Sequence, residues 1–437
     1  MIGLPKSSWI WLVILAVSIN AAILFIVIPK MSNRLRSFYN QNESIDGYDQ
    51  LAINLLNGNG YRTYPDTAKT LSREPGYPIL LAGIFFILGN SIAAVKLANL
   101  VLALGAAWLM TRIARRVSSS QVMIALPPLL FLFHPGTLIA ESRVGVELLF
   151  SFLLMLVILT LYRAIESNRS WDYAISGLAL GLTVLVRSTP ILFPLILLAY
   201  LAFFQSNGSK LAVCRHIALM VIAMFTVLSP WIIRNYLLTG KFIPTASILG
   251  ISAHAGLYDN THLTRDTNWV VVDRASAEER KKIALELGYP FKPVKGAYYQ
   301  DFYFTGDELK FSSYLLHTVI SEYEKSPVLF IRCLFSNFFN LWFRGKTSTS
   351  TILNVLVQFP YLIFAAVGVL LAVRENQIKI IAPMGILLLY FIAVYVAILA
   401  QARYSVPLIP ILSIFAGITL AASRRRFAVQ EIASASA

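Results

Sequence analysis

Three carboxylates, Glu43, Asp46 and Asp49, fall within seven residues, directly after an apolar run of membrane-spanning length, Trp9–Ile28. Acids are scarce here, 22 in 437 residues, and a carboxylate costs free energy near lipid, so the cluster calls for a chemical reason. A carboxylate placed beside a hydroxyl or amine can take its proton as that group attacks. The complementary chemistry sits on arginine, whose planar guanidinium holds phosphate oxygens by paired hydrogen bonds. Arg73, Arg187, Arg234 and Arg403 are placed for it: each stands where an apolar run begins or ends, beside proline or aromatic residues. Glu74, His134, Glu141, Arg143 and Glu147 occupy similar positions.

The elements that must position these groups are membrane helices. The chain is 57% hydrophobic and 14% charged, against about 45–50% and about 25% in ordinary soluble domains. The formal charge of +15 is spread over short loops, without a basic stripe or zinc-ligand spacing, which excludes nucleic acid as a partner and fits a positive-inside topology. Apolar runs predict an all-α polytopic protein with roughly ten crossings. They are Trp9–Ile28, Ser91–Met110, Gln121–Pro135, Gly145–Tyr162, Asp172–Val186, Thr189–Phe204, Val213–Ile233, Leu353–Val373, Ile380–Leu399 and Tyr404–Ala422. Gly76–Gly89 is too short for a full crossing and reads as an interfacial helix. Pro327–Phe343, apolar but interrupted by Arg332, Asn337 and Asn340, reads the same way.

With those two segments kept outside, the clusters at Arg112/Arg115/Arg116, Arg163/Arg169, Lys210/Arg215, Arg374/Lys379 and Arg424–Arg426 fall inside. Both termini are then cytoplasmic, and the acids and arginines gather at the outer face of the cytoplasmic (inner) membrane. The N-terminal run is long for a signal peptide and lacks a small-residue cleavage site, so it reads as a retained span. The expected organisation is a transmembrane module over 1–233, with its catalytic loop at 29–90. An outward region follows at 234–350, including a charged helical run at Ala277–Leu287, then C-terminal helices at 351–423 and a cytoplasmic tail at 424–437.

Each group also has a plainer reading. Arg187, Arg234, Arg73 and Arg403 read either as interfacial anchors or as phosphate ligands. Glu147 either favours its helix's positive N-terminal end or touches substrate. His134 and His254 read as hydrogen-bonded, and no zinc-type spacing occurs, so no metal ligand is assigned; the outer acids leave open a divalent ion, Mg or Mn. Cys214 and Cys333 fall on opposite sides, which argues against a disulfide.

The order of several short motifs resembles the GT-C fold membrane glycosyltransferases, in the bacterial branch of the lipid A aminoarabinose transferases and their relatives, the protein O-mannosyltransferases. The motifs are Asp46-Gly-Tyr48-Asp49 through Gly60-Tyr61, Arg73-Glu-Pro75-Gly-Tyr77-Pro78, Glu147-Leu-Leu-Phe150, Gly177 through Arg187-Ser-Thr-Pro190, Pro230-Trp231-Ile-Ile-Arg234-Asn235-Tyr236 ahead of Gly250, and Gln401-Ala-Arg403-Tyr404. The resemblance implies an inverting transfer of a sugar from a polyprenyl-phosphate carrier to a lipid, glycan or protein acceptor, with a catalytic Asp in the first outward loop. In relatives the acid occupies the position held here by Ser44, four before Tyr48. Asp46 is therefore taken as the base, ahead of Glu43 and then Asp49. Arg187, Arg234, Arg403 and Arg73 would hold the donor phosphate. Tyr48, Tyr77, Glu147, Asn235, Tyr236 and Tyr404 would line the substrate pocket. Two rivals share the composition: a flippase or transporter of lipid-linked glycans, which would carry symmetry between chain halves and polar groups through its interior, and a glycan ligase or polymerase using a pyrophosphate-linked donor.

Overall fold

The structure, a computed structural model, describes residues 15–30, 46–65, 67–204, 209–263, 269–289, 291–292, 303–304 and 307–435, with side chains only to residue 422 at the C-terminal end. In chain order the helices are α1 (Leu15–Lys30), α2 (Tyr48–Leu56), α3 (Gly76–Leu88), α4 (Ile92–Val117), α5 (Gln121–Leu132), α6 (Pro135–Glu141), α7 (Glu147–Ser167), α8 (Ser170–Val186), α9 (Thr189–Phe204) and α10 (Lys210–Thr239). There follow α11 (Leu249–His262), α12 (Trp269–Glu286), the two-residue antiparallel strands β1 (Phe291–Lys292) and β2 (Tyr303–Phe304), α13 (Glu308–Lys325), α14 (Pro327–Trp342), α15 (Ser348–Arg374) and α16 (Ile378–Ile398). A 3-10 turn, Ala402–Leu408, runs directly into α17 (Ile409–Ala435).

Among the described residues, six helices are long and apolar enough to cross a membrane: α4, α7, α10, α15, α16 and the continuous stretch Ala402–Ala422. The count rises to seven if α5 and α6, which meet at a 55° bend, form one broken span. The break has a local cause, since Pro135 opens α6 and the His134 ring accepts a hydrogen bond from the Gly136 N–H, capping the new helix. Four further apolar helices, α1, α3, α8 and α9, are shorter.

The stretch Ala402–Ala422 is the axis of the bundle: 89% of its span is buried, against 22% for α15. Helices pack by backbone approach through small residues, as expected where lipid supplies no hydrophobic drive between helices. A β-carbon placed on Gly177 of α8 would lie 2.1 Å from the Met220 carbonyl oxygen of α10, and one on Gly368 of α15 would lie 1.9 Å from that of Phe415 in α17.

Outside this bundle α11 packs on α12 and α13, with α14 beneath them against α16. The two asparagines of α14 face inward, while Arg332 is exposed: Asn337 donates to the Val396 carbonyl at 2.9 Å and accepts from Asn260 at 2.9 Å, and Asn340 donates to Asn260 at 3.3 Å. Its apolar residues Val328, Ile331, Phe335 and Phe338 are exposed as well. Buried amides must be paired, and this triad pairs them across three helices.

Candidate functional site

Asp46 is held at a sharp turn. Gly47 adopts φ 72°, a left-handed conformation costing a residue with a β-carbon roughly 1–2 kcal/mol, and the chain enters α2 directly after it. Two arginines from distant parts of the chain then converge on the carboxylate. Arg403 Nη1 donates to Oδ2 at 2.7 Å and its Nη2 to Oδ1 at 3.4 Å, a forked grip. Arg73 Nη2 donates to Oδ1 at 3.4 Å, and its Nε to the Asp46 carbonyl at 3.2 Å. Gln401 accepts from Arg403 Nε at 3.0 Å and so orients the guanidinium. Burial pushes the Asp46 pKa up, but the charges of Arg403 and then Arg73 outweigh it and hold the carboxyl well below the usual range. The Asp46 side chain nonetheless keeps 20% of its exposure, on the side open to the cavity.

A second layer backs this cluster. Tyr404 is nearly buried and has two cations near its ring, Arg187 at 4.1 Å and Arg403 at 5.3 Å from its centre. Tyr48 packs edge to face on Tyr77 and carries Arg73 at 5.9 Å. Tyr77 is sealed, its hydroxyl accepting from the Gly145 N–H. Glu147 is buried beside Arg143 at 3.9 Å. Of this layer only Tyr404 reaches the cavity wall; Tyr48, Tyr77, Glu147 and Arg187 support it from behind.

Other residues singled out in the sequence are placed elsewhere. Arg234 is not in the Asp46 cluster. It donates to Asn235 Oδ1 at 2.9 Å and to the Tyr61 carbonyl at 3.4 Å, and lies over Trp231 at 4.5 Å. Asn235 is fully buried and does not line the cavity, because its amide is spent closing the turn after α10, donating to the Ile243 and Thr245 carbonyls at 3.0 Å each. Tyr236, one step round the same helix, points outward with 57% exposure. Asp49 lies in the first turn of α2, where a carboxylate suits the positive helix end, and not on the cavity wall. Glu43 lies outside the described residues. Among the described residues no three His, Cys, Asp or Glu side chains gather as metal ligands.

The cavity, about 310 Å³, runs from Asp46, Arg73 and Arg403 to a far wall built by α11, α12 and α13. Sequence reasoning missed most of that wall. Glu308, at the start of α13, accepts from Thr70 Oγ1 and from the Leu71 N–H at 2.7 Å each, tying the outer helix to the first loop. From α12 come Trp269, Asp273, Ala277, Arg280 and Lys281, one face at helical spacing. The charged run was visible in the sequence, but a solvated helix and a cavity wall share that composition.

Such a bundle, with its polar cluster at the head of the first loop, has the GT-C fold. Residues 72–233 match the family model described as dolichyl-phosphate-mannose-protein mannosyltransferase. No curated protein matches the chain. Among solved structures, the chain superimposes on the archaeal oligosaccharyltransferase AglB from Archaeoglobus fulgidus, in complex with an inhibitory peptide and a dolichol-phosphate, with TM-score 0.56 and 13% identity, over 99% of this chain and 52% of that one. The chain thus spans about half the length of AglB. ArnT from Cupriavidus metallidurans bound to undecaprenyl phosphate aligns with TM-score 0.45 and 14% identity, over 95% of this chain and 78% of that one.

Proposed function

We propose that this protein transfers one sugar from a polyprenyl-phosphate carrier to a lipid, glycan or protein acceptor at the outer face of the cytoplasmic membrane. The observation that carries this reading is the cluster itself: two guanidinium forks share a single carboxylate at the rim of a cavity. Arg403 and Arg73 both reach the cavity wall, where their planar guanidiniums suit the oxygens of a phosphate. The AglB structure holds a dolichol-phosphate, a ligand of that chemical class.

In the proposed cycle the donor phosphate enters beside Arg403 and Arg73 and takes over part of their hydrogen bonding. Asp46, relieved of its partners, regains basicity and accepts the proton of the acceptor hydroxyl or amine as that group attacks the anomeric carbon. The bond from that carbon to the phosphate oxygen breaks on the opposite side, inverting the centre, and the electron pair stays on the lipid phosphate. Arg403 and Arg73 stabilise the charge developing there, with Arg187 behind Tyr404 adding to the field. Arg234 serves as a structural clasp. The proposed units are the module at 1–233, the outward region at 234–350 and the closing helices at 351–423.

The test is transfer of label from a polyprenyl-phosphate sugar to membrane acceptors by the full chain in proteoliposomes. Unchanged transfer in Asp46→Asn would reject Asp46 as the base. Translocation of the lipid-linked sugar without any transfer would replace the enzyme by a flippase.

A further inference from the structure

The cavity wall on α12 carries charges of both signs: Asp273 is the first electrostatic partner of Arg280, and Lys281 pairs with Glu278 at 3.8 Å. Arg280 in particular is not held out toward an anion. Its Nη1 donates to Ser276 Oγ at 2.5 Å, and Asp273 and Asp259 are its main electrostatic partners. A nearly neutral wall carrying both donors and acceptors suits a ligand that is uncharged and rich in hydroxyls.

Geometry adds an aromatic platform. Trp269, Asp273, Ala277 and Arg280 fall at spacings of four, four and three, so they share one face of α12. Every one of them is half-buried against the cavity, whereas Val271, Arg274, Ala275 and Glu278 of the opposite face are exposed. The indole is fixed: Trp269 Nε1 donates to Asp259 Oδ2 at 3.2 Å, and Asp259 is itself buried at the end of α11. That bond holds the indole where it lines the cavity. Ala277 projects only a methyl group between the indole and the guanidinium, leaving space at the centre of the face.

We propose that this face of α12 is the subsite for a pyranose ring, Trp269 carrying the apolar face of the sugar and the Asp273 and Arg280 pair its hydroxyls. The assignment rests on the transferase reading and deepens it by giving specificity to α12, which lies beyond residues 72–233. The same ring chemistry can come from the donor sugar or from a glycan acceptor.

The experiment measures binding to the full chain in lipid nanodiscs with three probes: undecaprenyl phosphate, undecaprenyl-phosphate hexoses differing in hydroxyl configuration, and free methyl pyranosides. Trp269→Ala and Asp273→Asn are compared with wild type, and Trp269→Phe, which keeps an aromatic face, controls for folding together with the melting temperature. A loss of about tenfold for the hexose carriers, with undecaprenyl phosphate unchanged and Trp269→Phe close to wild type, supports a donor-sugar subsite. A loss confined to the free pyranosides supports the same subsite filled by the acceptor. Sugar affinity that is equal in all variants overturns the proposal, as does a wild type that binds hexose carriers no better than the bare phosphate. Failure of wild type to bind undecaprenyl phosphate at all overturns the phosphate site at Arg73 and Arg403 instead.

Discussion

Arg403 and Asp46 stand 357 positions apart in the chain and meet at 2.7 Å, closing the last helix onto the first loop. On the proposed mechanism, a carboxylate gripped this firmly is a weak base until something else occupies the guanidinium. Replacing Asp46 with Asn therefore has two opposite effects. Turnover should fall about 10²–10⁴-fold, since the proton acceptor is gone. Affinity for undecaprenyl phosphate should rise, because Arg403 and Arg73 no longer share their charge. Rapid-quench transfer and equilibrium binding on the same preparation check both; weaker phosphate binding in Asp46→Asn would contradict the sharing.

The arginines should separate into two groups. Arg403→Gln and Arg73→Gln are expected to raise the KM for a polyprenyl-phosphate donor about 10- to 100-fold, the worth of a hydrogen bond to a charged group. Arg234→Gln should leave that KM near wild type and instead lower the melting temperature, through loss of the Trp231 stack and the Asn235 contact. Equal KM effects in Arg403→Gln and Arg234→Gln would argue that the sequence expectation for Arg234 was the better one.

Two carboxyls should give pH responses of opposite sign. Asp46 has a folded pKa below its ordinary value of 3.8, so its stabilising pairing is complete above that value and is lost as pH falls further. Its ionised infrared band, assigned by difference from Asp46→Asn, should persist without donor at about pH 3, where an Asp of ordinary pKa is mostly protonated. With donor bound, the acid limb of kcat should move up toward about 3.9, the value of an unpartnered Asp. Asp259 behaves inversely. Burial, then the charge of Asp273, pushes it up to about 7, so its neutral form suits the fold and that contribution is lost as pH rises from 3.8 through 7. Hydrogen-exchange protection factors in α11 and α12, which remove the intrinsic pH dependence of exchange, should fall over this interval in wild type and stay flat in Asp259→Asn.

Close backbone approach makes Gly250 a sensitive point. A β-carbon there would lie 1.7 Å from the Ser312 carbonyl oxygen, so Gly250→Ala must push α11 off α13. Overpacking of this kind costs about 1–3 kcal/mol, and the same displacement moves Ile251 and Ser252 on the cavity wall. A lower melting temperature with weakened sugar binding and intact phosphate binding is expected in nanodiscs.

The membrane bundle was readable because apolar length is a direct physical signal: α4, α7, α10, α15, α16 and the final span all coincide with predicted runs. Asp46, Arg73 and Arg403 were readable as unusual charges beside apolar segments, and they do meet. Three things were hidden. The inward turn of Asn337 and Asn340 depends on Asn260, far away in the chain, and no periodicity encodes which face a partner will cover. Asn235 looked like a site residue because it follows Arg234, yet its amide serves the turn that ends α10. The far wall on α12 was lost among ordinary surface charges, since a helix facing water and one facing a polar cavity have the same composition.

Glu308 gives the outer helix a mechanical role. Its two oxygens are both engaged by the first loop, at Thr70 and Leu71. Parting them would strand an anion away from water, so α13 and the strand of chain leading to Arg73 travel as one piece. On the proposed transferase reading, an acceptor that leans on α13 would pull on Arg73 through the two residues that separate it from Leu71.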